Sequence, residues 1–274
     1  MTRARRNALF MRLLVYLGAG FTAVVFLGLT LYILIRGIPN LHPSLFAWEY
    51  NSDNASMMPA LINTILMTVL SLAVAVPIGV YGAIYMTEYA GSANRLVKVT
   101  RITSETLTGI PSILYGLFGL MFFVTALKMG LSLISGALTL SIMILPLILR
   151  ATEEALIAVP REYREGSFGL GAGRLRTVSK VVLPSAMPGI LSGVILAIGR
   201  IVGETAALIY TAGTVAKAAD SLTDSARTLS VHMYALSSEG LYIKQASATA
   251  AVLLVLVAGI NALSGWAAGR LTRR

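Results

Sequence analysis

The chain is predicted to be an all-α polytopic membrane protein that crosses the bilayer six times, with its N and C termini cytoplasmic. Three observations predict this. Of its 274 residues, 56% are hydrophobic and 12% charged, about half the charge of a soluble domain, and the mean hydropathy is +0.78. Several apolar runs exceed the ~20 residues a helix needs to span the hydrocarbon. Finally, sixteen of the 22 lysines and arginines lie in segments 2–12, 87–101, 150–180 and 270–274, against five in the alternating segments. That bias keeps the cationic segments inside.

The same observations exclude other classes. The net charge of +10 flanks apolar spans, so it reports orientation and not nucleic-acid binding. With no cysteine there are no disulfides, thiolate metal sites or thiol nucleophiles. His42 and His232 sit in separate loops without carboxylate clusters, so no metal site is expected.

In order, residues 1–12 form a basic cytoplasmic N-terminus, with Arg3, Arg5, Arg6 and Arg12, and residues 13–274 a single transmembrane domain. The charge-free run 13–35 is too long for a secretory signal and stays as the first span. An external loop, 36–56, carries Trp48 and Tyr50 at headgroup level. The second span, 59–86, contains Pro77 and Gly79, which predict a kink or break. The third, 104–127, is rich in small residues that permit close helix approach, with Glu105 at the interface. The fourth, 131–149, ends at Arg150. The fifth is 184–212 and the sixth 246–268, separated by an external loop, 213–244.

The polar segment 150–184 holds a cytoplasmic handle. Pro160 suits the start of a short helix, and Gly169, Gly171 and Gly173 make a sharp turn between two short helices. By residue type alone this is equally an ordinary basic loop. The spacing Glu165–Gly166–Ser167 … Gly171 … Val181–Leu183–Pro184 resembles the EAA loop of ABC importer permeases, with Gly166 and Ser167 in place of the two alanines. The chain has no Gly-x-x-x-x-Gly-Lys-Ser/Thr phosphate loop, so an ATP site would lie on another polypeptide.

Beyond that loop, the segments Tyr81–Tyr89, Gly109–Gly119, Arg150–Leu156 and Arg200–Ala206 resemble the PstA permeases of phosphate importers. Ala207 departs from the family, which usually has proline there. The resemblance implies the type I, MetI-like permease fold and a non-catalytic subunit that forms half of a phosphate path. It implies coupling to the ATPase through Glu165, Gly166, Ser167, Gly171, Arg174, Leu183 and Pro184, and a transport role for Arg150 and Arg200. The implied partners are a PstC-like second permease, two PstB-like ATPase subunits carrying ATP and magnesium, and a PstS-like extracytoplasmic phosphate-binding protein. The chain itself would bind no cofactor. The implied location is the plasma (inner) membrane of a bacterium or archaeon. A permease for another oxyanion or nutrient, or an ion-coupled secondary transporter, are the rival readings.

Arg200 and Glu204 are four apart, so on a continuous helix they share one face. A central arginine in a span costs on the order of 3 kcal/mol or more. The pair is either a self-neutralising structural couple or an anion gate in which phosphate competes with Glu204 for the guanidinium. Arg150 either meets the anion at its exit or pairs with Glu154. Thr205 and Tyr210 are secondary candidates.

Overall fold

The structure is a computed structural model that describes residues 3–90 and 94–272. Arg273 and Arg274, counted above among the inner cations, lie outside the described residues. Within them, five helices are long and apolar enough to cross a membrane, and a bent helix pair makes a sixth span.

The apolar run near the N-terminus forms α1 (Arg3–Gly37), none of whose apolar window is buried. It touches the bundle at its outer end, where a Cβ on Gly37 would lie 2.5 Å from Ala251 Cβ. Two single 3-10 turns, Ile38–Asn40 and Pro43–Phe46, come next. The second span is α2 (Met58–Ile84), and it continues through Pro77, so the predicted interruption is not a break. It ends in a π-helical turn, Tyr85–Tyr89.

The third span departs from prediction. Helices α3 (Arg95–Thr108) and α4 (Ser112–Gly119) meet at a bend of 105°, and α4 runs on as a π-helical segment, Leu120–Ala126. Pro111 causes the bend: it lacks an N–H and drives Ile110 out of the helical region. Tyr115 spans the corner, its hydroxyl donating to the Leu107 carbonyl at 2.8 Å. Glu105 therefore sits on α3, across the corner from α4.

The central element is α5 (Leu133–Ile157), two thirds of whose apolar window is buried. Next come α6 (Arg161–Gly169), α7 (Arg174–Thr177), a π-helical turn Val178–Val182, and α8 (Leu183–Gly203). The predicted fifth span is also broken: α8 stops at Gly203 and α9 (Ala206–Thr211) starts afresh. Gly189 and Gly193 on α8 sit over Ala155 and Ala151 of α5, where added Cβ atoms would lie 2.7 and 2.4 Å from the alanine Cβ atoms. Small residues at this four-residue spacing let two membrane helices approach closely.

The predicted outer loop 213–244 is corrected in part. It contains α10 (Leu229–Glu239), with Leu229, Val231, His232 and Leu236 fully buried. Ahead of α10 the loop is pinned by Asn63 of α2. Its amide donates to the Lys217 and Arg227 carbonyls at 2.8 and 3.1 Å and accepts from the Ala219 N–H at 2.9 Å. The last span is α11 (Ile243–Thr272). The main core joins α2, α5, α8 and α9 through Met67, Leu140, Ile144, Ile148, Ile201 and Leu208.

Candidate functional site

Two places gather the residues singled out by sequence: the broken end of α8 and the handle between α5 and α8.

At the first, Arg200 occupies the last turn of α8, where the negative end of the helix dipole favours a cation. The helix ends before Glu204, whose backbone is extended (φ −73°, ψ 129°). The expectation that Arg200 and Glu204 share a helix face is therefore corrected. The buried Glu204 carboxylate turns forward and accepts the Ala207 N–H at 3.0 Å, capping α9 as an anion caps a helix N-terminus. The Glu204 carbonyl accepts from Ser230 Oγ of α10 at 2.5 Å. A proline at 207 would have no N–H to give. Here the chain bends without one.

Among the described residues Arg200 enters no ion pair. It is half-buried and lines a cleft of about 400 Å³ with Leu147, Leu196, Gly199, Val257 and Asn261. Tyr115 of α4 lies within its electrostatic reach. Helices α4 and α9 pack directly: a Cβ on Gly116 would sit 2.8 Å from Ala207 Cα and 3.2 Å from the Ala206 carbonyl oxygen. Glycine is thus required at 116, and the two interrupted spans meet beside Arg200. Interrupted helices at membrane depth occur where they line a protein cavity and not where they face lipid. Thr205 opens α9 without a side-chain capping bond.

Arg150 is elsewhere. Its Nε donates to Glu154 Oε1 at 3.0 Å, both side chains being exposed, so the pair contributes little. Beside it, Arg101 of α3 holds the buried Glu153 of α5 at 2.6 Å.

The handle folds as two short helices around a glycine elbow, as predicted. Gly171 adopts φ +79°, a conformation only glycine reaches freely. The Gly171 and Ala172 N–H groups close the end of α6 on the Phe168 and Ser167 carbonyls at 2.9 and 3.1 Å. Ser167 Oγ meets Thr177 Oγ1 at 2.8 Å across the elbow. Glu165 and Gly166 are exposed, Leu183 and Pro184 open α8, and Arg174 lies 5.4 Å from the Tyr89 ring centroid. The tip presents apolar surface, Leu170 being 91% exposed and Leu175 73%.

Sequence reasoning missed Tyr115, Asn261 and Ser230 near the α8 break, and Glu88 and Arg164 beneath the handle. Asn261, a lone polar residue in an apolar run, carried a usable signal. The others depended on contacts between distant segments. The arrangement holds a guanidinium beside a cleft and offers a rigid protrusion. Among the described residues it brings together no nucleophile and base.

The family described as "Binding-protein-dependent transport system inner membrane component" matches residues 75–274. The chain is 34% identical over 272 residues to the "Probable ABC transporter permease protein YqgI" of Bacillus subtilis, covering 90% of each. It is 37% identical over 188 residues to the "Phosphate transport system permease protein PstA 2" of Mycobacterium bovis, covering 67% of this chain and 62% of that one. It is also 37% identical over 182 residues to the "Phosphate transport system permease protein PstA" of Pasteurella multocida, covering 66% and 64%. Among solved structures, the inward-facing MetNI methionine ABC transporter matches with a TM-score of 0.61 at 20% identity over 88% of this chain and 97% of that one. A bacterial ABC transporter importing alginate matches at 0.62 and 16%, over 95% and 96%. At these identities the structures speak for the fold alone.

Proposed function

The chain belongs to the family of binding-protein-dependent transport system inner membrane components, and we propose that it is the permease subunit of an ATP-driven importer of inorganic phosphate. Membership makes it an inner-membrane transport component that works with an ATPase and a binding protein. The finer reading rests on relatives whose names include phosphate transport. The observation that carries it is Arg200: a half-buried guanidinium within a span, in no ion pair among the described residues, lining a cleft between α5, α8 and α11.

A guanidinium offers planar, paired donors to phosphate oxygens. Arg200 would take the anion in the path, with Glu204 and Thr205 setting the geometry of the bend behind it. Arg150 is a weaker candidate at the inner exit, because Glu154 already holds it. The path would be completed by a PstC-like second permease. Two PstB-like ATPase subunits, carrying ATP and magnesium, would grip Glu165, Gly166, Ser167, Gly171, Arg174 and the Leu183–Pro184 hinge. A PstS-like binding protein would deliver phosphate from outside. This chain binds no cofactor and makes no covalent intermediate.

The test is uptake by the complex co-purified with its neighbouring subunits and placed in liposomes. Phosphate should enter only with ATP and the binding protein, and sulfate and molybdate should not compete. Equal competition by those anions, or uptake driven by an ion gradient without the ATPase, would refute the reading.

A further inference from the structure

The handle is fastened to the membrane bundle by more than its own backbone. Arg164 on α6 sends Nη2 to Glu88 Oε1 at 2.6 Å and Nε to the same oxygen at 3.2 Å. Its remaining donors go to backbone: Nη1 to the Val159 carbonyl at 2.8 Å and Nη2 to the Leu156 carbonyl at 2.9 Å. Both side chains are largely covered, at 19% and 10% exposure. Glu88 belongs to the π-helical turn that ends α2. The next residue, Tyr89, carries the Arg174 guanidinium over its ring.

Arg164 lies before the glycine elbow and Arg174 after it. Two adjacent residues at the end of α2 therefore hold both arms of the handle. Backbone alone would join α6 to α5 through the short stretch at Ala158–Pro160, about which α6 could swivel. A largely covered pair in which the guanidinium Nε reaches both carboxylate oxygens, at 3.2 and 3.4 Å, fixes distance and direction together, and such a pair serves geometry more than stability. The motion would pass onward from α2 to α5, which packs so closely that a Cβ on Gly79 would lie 2.8 Å from Ile148 Cγ2.

We infer that Glu88 and Arg164, seconded by Tyr89 and Arg174, form the transmission contact that passes handle movement to α2. They are positioning residues, touching neither nucleotide nor anion. The inference rests on the reading of the chain as a permease driven by separate ATPase subunits.

The test uses the whole complex in liposomes, with phosphate as substrate, and reads ATP hydrolysed per phosphate moved. Glu88→Gln and Arg164→Ala should raise that ratio about tenfold or more, since each removes the carboxylate–guanidinium link between α2 and α6. Arg164→Lys, which keeps the charge and loses the fork, should fall between. The chain has no cysteine, so a Glu88→Cys/Arg164→Cys double variant can be bridged by a short bismaleimide. Bridging should bring the ratio back toward the wild-type value in the same preparation. An unchanged ratio in the single variants, or a ratio that bridging does not lower, would overturn the inference. So would loss of the ATPase subunits from the variant complex, which would make the pair a docking element. A wild-type complex that moves no phosphate would instead overturn the functional reading itself.

Discussion

The inner and outer halves of the bundle carry their charges in opposite ways. On the inner side, Arg164 is clasped by Glu88 and Arg101 by Glu153, each at 2.6 Å, while the Arg150–Glu154 pair is solvent-facing. Toward the outer side, Arg200 and Glu204 are held apart. Arg200 enters no ion pair among the described residues, and Glu204 faces a backbone amide. His232 lies with Nδ1 3.4 Å from Arg227 Nη1, and its Nε2 has no hydrogen-bond partner among the described residues. The outer Lys217–Asp220 pair is solvent-facing. Clasped charges fix one geometry, as a part that transmits force requires. Charges kept apart remain available to something that arrives and leaves.

The largest effect that would sharpen this contrast is on stability against pH. Burial, and then the nearby Arg227 charge, lower the His232 pKa from 6.5 to about 4. The Ala55 backbone opposes the shift weakly, from outside hydrogen-bond geometry. The unfolded chain therefore binds the proton first. Stability is complete above pH 6.5 and is lost as pH falls toward 4, by about 3 kcal/mol in all. Thermal unfolding of the purified protein from pH 7.5 to 4.5 should show the loss, and His232→Phe should flatten it. Parallel curves for the two proteins would place the acid sensitivity elsewhere.

Next in size are the parted charges at the α8 break. Arg200→Ala should lower phosphate uptake about 100-fold, the scale of one charge-assisted contact to substrate. Glu204→Gln keeps an acceptor for the Ala207 N–H, so its loss should be nearer fivefold. Equal losses would mean that the two act as a couple despite the broken helix, and the contrast between the halves would fail. The smallest effect belongs to Arg150→Gln. An exposed i,i+4 pair contributes little, so uptake should stay within about threefold of wild type. A larger loss would make Arg150 a direct contact of the anion.

The number and order of spans were legible because long apolar runs and cation placement depend on local composition. The breaks were not. Pro77 invited an interruption, yet α2 runs through it, whereas Pro111 makes a right-angled corner. Glu204 ends a helix with no proline at all, through a carboxylate that caps the next one. Proline marks a lost donor, and only the surroundings decide whether that loss becomes a bend. Helix α10 is not legible in the sequence because eleven residues of moderate polarity resemble a connector until their burial is seen. The elbow of the handle was legible, since Gly171 needs its positive φ whatever surrounds it. Its fastening was not, because Glu88 and Arg164 are 76 residues apart.

The corner at Pro111 has an electrical consequence. With α3 folded aside by 105°, the limb that packs against α9 is residues 112–126 alone. Fifteen residues reach no more than about 22 Å at helical rise, against about 30 Å of hydrocarbon. A limb of that length bridges the hydrocarbon only where the insulating layer is thinner, and a voltage across such a flank would drop over fewer ångströms than through the surrounding lipid.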